Sequence, residues 1–308
     1  MAEITAKMVM ELRERTGAGM MDCKAALQET GGNFEEAIIF LRKKMGKKAE
    51  DRGERASGEG VIAVYTQVNP DGGQSGAIIE LNSETDFVAR SEDFKTLARE
   101  LAEQVARTRT SDVAAVLAQE SLVQPGVRVQ DRVTDIFSKL RESIVFRRCA
   151  FIATGPNGAL AAYVHVPAND KIGVLVELEA SSPEQARSEA VQTLGRELAM
   201  QVAASRPRYM TREEVPESVI QTEMEIARAQ NEGKPETAMA RILEGRLRKF
   251  YEETVLLDQK YLRDPVKTVS QLIAEAGEGV SLKRYIRYEV GEGVTGVATS
   301  GAIKEQAE

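Results

Sequence analysis

The chain has 308 residues, of which 42% are hydrophobic and 29% are charged, and its formal net charge is -7. These values are ordinary for a globular chain of about two domains, and the acidic balance disfavours a large phosphate-binding face. Cys23 and Cys149 lack C-x-x-C spacing, which indicates a reducing compartment without a metal framework. No apolar stretch approaches the roughly 20 residues of a membrane helix, and the amino terminus shows no targeting pattern. We therefore expect a cytoplasmic protein.

Sequence motifs for catalysis are sparse. His165 is the only histidine, and the phosphate-loop, zinc-protease and nucleophile-elbow motifs are absent. The 48 acidic residues leave carboxylate chemistry open but do not single out a pair. We therefore expect a binding protein that is not an enzyme and that holds no metal or cofactor.

The first 46 residues predict a compact module of three short helices. Thr5 is placed to cap the first helix, and the T-G-A-G stretch at 16–19 ends it. A second helix begins near Met21. Asn33 caps a third helix, in which apolar residues recur at helical spacing: Phe34, Ala37, Ile38 and Leu41. The residues that follow are charged and nearly free of apolar side chains, so 47–59 are predicted to be a linker.

An internal repeat organises the next part of the chain. R-E-L-A-E-Q-V-A at 99–106 matches R-E-L-A-M-Q-V-A at 196–203 in seven of eight positions. Upstream, two apolar segments of each copy match at nearly the same offset: 60–65 with 158–163, and 76–81 with 173–178. Each copy predicts strand, polar connection, strand, connection and helix, which gives two related α+β subdomains.

The region around and after the second copy predicts further helices. Residues 131–146 have the periodicity of an amphipathic helix, and a strand follows at 149–154. Helices at about 217–231 and 236–253 predict an antiparallel hairpin, whose narrow apolar stripe is typical of a coiled coil. A helix containing Val269 and a last strand at 282–290 complete the fold. We assign the first core subdomain to 60–130, the second to 131–291 with the hairpin insertion at about 212–256, and a flexible tail to 292–308.

The stretch S-E-T-D-F-V-A-R at 83–90 places an aspartate and a phenylalanine between a strand and a helix. In a structural interpretation, Phe87 packs under its own sheet and Asp86 caps the helix. In a functional interpretation, both side chains protrude and anchor an interface. The second copy has no aromatic residue at this junction, so the fold does not by itself require Phe87.

Several motifs together resemble the translation elongation factor Ts family. They are T-D-F-V with S-E-D-F behind it, the amino-terminal E-L-R-E-R-T-G-A-G-M-M-D-C-K-A-A-L, R-E-S-I-V-F-R-R, I-G-V-L-V, and the closing Y-I-R-Y-E-V-G-E-G. The resemblance spans almost the whole chain. It implies an α+β fold with a ubiquitin-associated-like helical module, two repeated subdomains and an inserted, protruding coiled-coil hairpin.

The resemblance also implies a function. It indicates a guanine-nucleotide exchange factor in protein biosynthesis, which binds elongation factor Tu with GDP and promotes GDP release during translation elongation. Asp86 and Phe87 would push between helices of the partner's GTPase domain and disturb its Mg²⁺ site. Direct binding of nucleotide, nucleic acid or membrane is not expected.

The family's partner contacts fall on three groups of residues in this chain. The intruding segment matches Thr85, Asp86, Phe87 and Val88. The contacts of the amino-terminal module match Arg13, Met20, Met21 and Lys24. The contacts of the second subdomain match His165, Ile172 and Gly173. The chain departs from relatives at Met10, where some have lysine, in the P-A-N-D-K loop at 167–171, and in its short tail.

Alternatives stay open when the residues are considered alone. Met20 and Met21 could be core residues of the helical module, and His165 could be structural. The hairpin could be a dimer zipper, so that a homodimer or a dimer of heterodimers stays open. The alternative functions are a non-catalytic scaffold or dimerisation protein, and an enzyme that uses Asp86 with Glu80 or Glu84.

Overall fold

The computed structural model describes residues 4–52 and 58–293, and the side chains of 46–52 are outside that description. Two three-stranded antiparallel sheets lie at the centre of the molecule, with helices packed on them. A helical module precedes the sheets in the chain, and a helical hairpin is inserted late in it. This architecture confirms the predicted α+β class.

The amino-terminal module consists of three helices, α1 (Ala6–Thr16), α2 (Met20–Glu29) and α3 (Phe34–Arg52). Both predicted caps are confirmed: the Thr5 hydroxyl accepts the Met8 N–H, and Asn33 Oδ1 accepts two N–H groups of the first turn of α3. Helix α3 runs on to Arg52, so the first part of the predicted linker is helical. Met45 extends the buried stripe of α3 onto the first sheet subdomain. Residues 53–57 of that linker lie outside the described residues.

The first sheet has the strand order β1 (Glu59–Val68), β2 (Gln74–Ser83), β3 (Ile144–Ala153). Its helices are α4 (Asp86–Arg90), α5 (Glu92–Thr108), α6 (Val113–Ala118) and α7 (Val129–Leu140). The apolar face of α5 covers the sheet, where Phe94, Leu97 and Leu101 are almost completely buried. Burial of such a face is the main force that holds a helix on a sheet.

The helix predicted for residues 131–146 is too long. It ends at Leu140 because Arg141 takes a left-handed conformation with φ 62° and ends the helix. Strand β3 then begins at Ile144, earlier than the predicted 149, and pairs with β2. Because β3 completes the first sheet from beyond the expected boundary at 130, we propose that the first core subdomain extends to about Ala153.

The second sheet has the strand order β4 (Gly158–Val164), β5 (Ile172–Glu179), β8 (Ser281–Glu289). Short α8 (Pro183–Ala186) and long α9 (Glu189–Ser205) follow β5, and the predicted coiled-coil hairpin consists of α10 (Glu217–Ala229) and α11 (Glu236–Thr254). Strands β6 (Lys260–Tyr261) and β7 (Asp264–Thr268) form a small separate sheet that the sequence patterns did not predict. Helix α12 (Val269–Glu275) leads into β8.

The two copies share more than their matching sequences. In the first copy Gln104 donates to the Glu120 carbonyl and accepts the Leu122 N–H; in the second, Gln201 makes the same pair of bonds to Lys260 and Leu262. The middle strands β2 and β5 also carry an irregularity at the same point of the pairing with their third strand. The structural repeat therefore continues to the third strand of each sheet.

The two sheets pack face to face. Ile152 of the first sheet is buried with Leu160 and Leu175 of the second, and Gly173 lies directly against Ile62. The sheets are also joined by the fully buried carboxylate of Glu80, which accepts hydrogen bonds from Arg147, Arg148 and the Gly291 N–H. The R-E-S-I-V-F-R-R segment thus binds the end of the described chain to the first sheet.

The hairpin of α10 and α11 projects with most of its surface exposed. Its buried contacts concentrate at the base, where Phe250 packs with Val215 and Val255. An ion pair between Arg246 and Glu223 joins the two helices at 2.9 Å. Among the described residues, no helix has both the length and the hydropathy needed to cross a membrane.

Candidate functional site

The connection from β2 to α5 folds into the five-residue helix α4. The Thr85 hydroxyl accepts the Val88 N–H and caps the start of α4. At its end, the Ser91 hydroxyl donates to the Val88 carbonyl at 2.8 Å, and Ser91 also caps α5. Caps at both ends hold this short helix, since so few residues form little helix by propensity alone.

Helix α4 directs Phe87 into solvent. The Phe87 side chain is 83% exposed, whereas its neighbours Val88 and Ala89 are buried in the first core. The structural interpretation of this stretch is therefore wrong on both points: Phe87 does not lie under its own sheet, and Thr85, not Asp86, is the cap. Asp86 forms a partly exposed ion pair with Arg90 at 3.0 Å, an interaction that contributes little to stability.

The turn between α7 and β3 anchors this segment through two carboxylates. Glu142 accepts hydrogen bonds from both the N–H and the hydroxyl of Thr85, at 3.0 Å and 2.7 Å. In the second contact the turn supplies the donor: the Ser143 N–H donates to the Glu84 carboxylate at 3.0 Å. Glu142 did not stand out in the sequence as a site residue, and Glu84 was considered there only as a carboxylate of the alternative enzyme. No local pattern indicates a contact between residues so far apart in the chain.

The carboxylates suggested for an enzyme do not meet. Glu80 pairs with Arg147 and Arg148, and Glu84 accepts the N–H of the turn residue Ser143. Asp86 pairs with Arg90. Within residues 4–52 and 58–293, no group of three or more histidine, cysteine, aspartate or glutamate side chains is arranged to hold a metal.

The four candidate residues of the amino-terminal module are exposed. Arg13 and Lys24 lie on its surface, and the exposed fractions of Met20 and Met21 are 40% and 76%. The proposal that the two methionines form its core is therefore wrong; the core is formed instead by residues such as Leu12 and Leu27. Methionine side chains are flexible and apolar, and these two are accessible to solvent at the start of a helix.

The end of α7 and the turn that follows it also touch this module. Gly17 lies against the Lys139 side chain, and Gly19, the cap of α2, lies against the guanidinium of Arg141. Met20 follows directly in the chain. The start of α2 and the start of α4 thus contact neighbouring residues of one turn, Arg141 and Glu142.

In the second subdomain the candidate residues differ in accessibility. His165 is half-buried, and its Nδ1 lies 2.7 Å from the Tyr163 hydroxyl. His165 and the half-buried Ile172 line a cavity of about 330 Å³. Gly173 is buried between the sheets against Ile62, so it serves their packing and offers no surface to a partner.

The loop that contains His165 is tied to the first subdomain. Asp170 accepts a hydrogen bond from Lys95 of α5 at 2.6 Å, and its carbonyl accepts the Ile62 N–H. Lys171 pairs with Glu59 at the start of β1, also at 2.6 Å. Because α5 begins directly after α4, these bonds fix the loop relative to the Phe87 segment. The sequence contained no signal for these long-range pairs.

Comparisons with known proteins identify the family of this chain. The family model described as "Elongation factor TS" matches residues 84–292. The chain is 42% identical over 300 residues to Elongation factor Ts of Clostridioides difficile (strain 630), covering 96% of this chain and 95% of the relative. It is 41% identical over 300 residues to Elongation factor Ts of Symbiobacterium thermophilum, covering 96% and 94%. The chain belongs to the elongation factor Ts family.

Proposed function

We propose that this protein is a guanine-nucleotide exchange factor that binds elongation factor Tu with GDP and promotes release of the GDP. Membership of the elongation factor Ts family supports the role and the partner. The observation that carries the proposal is the exposure of Phe87 on a short helix fixed at both ends. When the backbone that carries an exposed aromatic side chain is fixed, little conformational entropy is lost on binding. This property is favourable for an interface anchor.

The mechanism is a matter of binding equilibria and requires no chemistry from this chain. A protein that prefers the nucleotide-free form of its partner must weaken the partner's affinity for nucleotide by the same factor. In the proposal, Asp86 and Phe87 insert between helices of the GTPase domain. The insertion displaces groups around the partner's Mg²⁺, which bridges protein and phosphate oxygens, so that the phosphates lose a stabilising cation.

The remaining candidate residues fit this proposal according to their accessibility. Met20, Met21, Arg13 and Lys24 are exposed and serve as a second contact with the GTPase domain. His165 and Ile172 border a cavity on the second subdomain and serve as a third contact, with another domain of the partner. Val88 and Gly173 are buried, so we assign them a supporting role.

The test is stopped-flow release of a fluorescent GDP analogue from elongation factor Tu. Wild type is expected to accelerate GDP release strongly. The acceleration by Phe87→Ala should be at least about tenfold smaller, which is equivalent to about 1.4 kcal/mol. Val68→Ala is the matched control, since Val68 is also exposed, at 66%, but lies at the opposite end of β1 from the α4 junction. This control is expected to behave as wild type.

The outcomes separate the proposal from its alternatives. Equal acceleration by wild type and Phe87→Ala would remove Phe87 from the mechanism. Binding of elongation factor Tu without any acceleration by wild type would favour the scaffold and contradict exchange.

A further inference from the structure

We infer that Glu142 is a positioning residue for the exchange surface, acting through Thr85 to set the direction of Asp86 and Phe87. This inference rests on the proposed exchange function and adds to it a residue that does not itself touch the partner. The α7–β3 turn, residues 141–143, would then be the part of the fold that aims the α4 segment.

The contacts of Glu142 converge on a single residue. One carboxylate oxygen accepts the Thr85 N–H at 3.0 Å, and both accept from the Thr85 hydroxyl, at 2.7 Å and 3.0 Å. Because the hydroxyl gives its one proton to Glu142, its lone pairs remain for the Val88 N–H. The carboxylate therefore fixes the rotation of the same hydroxyl that caps α4, through charge-assisted bonds that are stronger than neutral ones.

The direction of Phe87 depends on this anchor because no packing fixes it. Its side chain is exposed, so its orientation follows from the backbone of α4 alone. A helix of only five residues has little internal stiffness, and its axis is set by the burial of Val88 and Ala89 together with the groups at its two ends. At the carboxyl end Ser91 leads directly into the long helix α5. At the amino end the anchor is Thr85, held by Glu142.

The turn also fixes the relation between α4 and the amino-terminal module. The Ser143 N–H donates to the side chain of Glu84, the residue before Thr85. In this second link the turn supplies the donor and the α4 segment supplies the carboxylate. Arg141 lies against Gly19, the residue before Met20. Three consecutive residues thus contact both exposed segments. A change at Glu142 would alter the angle between them as well as the position of Phe87.

The second copy of the repeat provides an internal comparison. Its short helix α8 stands where α4 stands in the first copy, and Ser182 caps it. The turn before β8 also holds this helix, but through the backbone carbonyl of Glu278, which accepts from Ser181 and Gln185. The fold therefore requires a link at this place. A carboxylate makes the link in the copy that presents an exposed phenylalanine.

The first experiment measures α4 in the free protein by amide hydrogen exchange. Glu142→Gln is expected to raise exchange of the 85–91 amides about tenfold, which corresponds to the loss of one charge-assisted hydrogen bond, and to leave α5 unchanged. Glu100→Gln is the matched control. Glu100 is partly buried, as Glu142 is, but its carboxylate pairs with Arg132 at 2.9 Å and does not bond to α4. Unchanged exchange of the 85–91 amides in Glu142→Gln would overturn the inference.

The second experiment is a double-mutant cycle on GDP release from elongation factor Tu. Glu142→Gln alone is expected to lower the acceleration of GDP release about tenfold. In a Phe87→Ala background the same substitution should cause no further loss, because Glu142 acts through Phe87. Thr85→Ser, which keeps the hydroxyl, is expected to retain most of the acceleration, whereas Thr85→Val is expected to match Glu142→Gln. Before the kinetic measurements, the melting temperature of each variant is checked to lie within a few degrees of the wild-type value.

The failures of the two proposals are distinguishable. If the losses of Glu142→Gln and Phe87→Ala simply add, Glu142 acts elsewhere and the inference is wrong, while the exchange function stands. If Glu142→Gln accelerates release as wild type does and Phe87→Ala does not, the inference alone is wrong. If wild type itself gives no acceleration, the exchange function is wrong and the inference falls with it.

Discussion

At the scale of single residues, adjacent side chains in one short helix have opposite environments. Phe87 is exposed and Val88 is buried, although both are apolar and both lie in the same motif. The local sequence allowed either arrangement, and the absence of an aromatic in the second copy was the only indication of which to expect. Burial was decided by the direction in which the capped helix leaves the sheet.

The two cysteines are expected to be unreactive in the native protein. Burial raises the pKa of Cys149 to about 12 and also raises the pKa of Cys23, so at pH 8 both are protonated thiols, which are poor nucleophiles. Labelling with a chromogenic disulfide at pH 8 should be slow for the native protein and fast in denaturant. Rapid labelling of either thiol in the native state would contradict this.

Removal of the Glu80 carboxylate is expected to be costly. Glu80→Ala leaves Arg147 and Arg148 without the buried acceptor that they share, which should lower the free energy of unfolding by about 3 kcal/mol. Urea denaturation measures this. Glu92→Ala is the control, because the pair of Glu92 with Arg99 is exposed; its cost should stay below about 1 kcal/mol. Equal losses in both variants would show that burial of Glu80 is not the cause.

At the scale of elements, the insertion of the hairpin conceals half of the repeat. The sequence match covers two strands and one helix of each copy, whereas the structure extends the correspondence to the glutamine contacts and the third strand. The offset between the copies changes where α10 and α11 are inserted, so a search at fixed offset loses the match. Strand β3, which lies beyond the boundary expected at 130, pairs with β2 of the first sheet.

Alanine substitutions at two glycines are expected to have opposite effects. A Cβ at Gly173 would overlap with Ile62 between the sheets, so Gly173→Ala should destabilise by about 1–3 kcal/mol. Gly245 lies in α11, and a Cβ added there would meet no other group within 4 Å, so Gly245→Ala should stabilise by about 0.5–1 kcal/mol through helix propensity. Denaturation curves of both variants test this. A neutral Gly173→Ala would mean that the sheets can separate slightly at little cost.

At the scale of the whole molecule, long-range polar contacts hold the exposed segments in one arrangement. Lys95 pairs with Asp170 across the two subdomains, and Arg42 of the helical module pairs with Asp135 of α7 at 3.3 Å. Each partner lies far from the other in sequence. The proposed contact face therefore exists only after the module and both sheets have packed together.

The outer part of the hairpin is expected to be dispensable for folding. The two large core clusters contain no residue of α10 or α11. The base cluster around Phe250, which includes Leu247, remains if residues 222–246 are replaced by a short glycine–serine linker. The melting temperature should then change by only a few degrees, because few buried contacts are lost. Thermal unfolding followed by circular dichroism measures this. Loss of a cooperative transition would show that the outer helices stabilise the core.

The sequence by itself determined the helical module with its caps, the strand–strand–helix units, the hairpin and the family, because these depend on local periodicity, capping residues and motifs. The tertiary structure decided where α7 ends and β3 begins, which strand completes the first sheet, and that Phe87 and Met21 face solvent while Gly173 does not. It also revealed Glu142. These features depend on contacts between residues far apart in the chain, and such contacts leave no pattern in the local sequence around either partner.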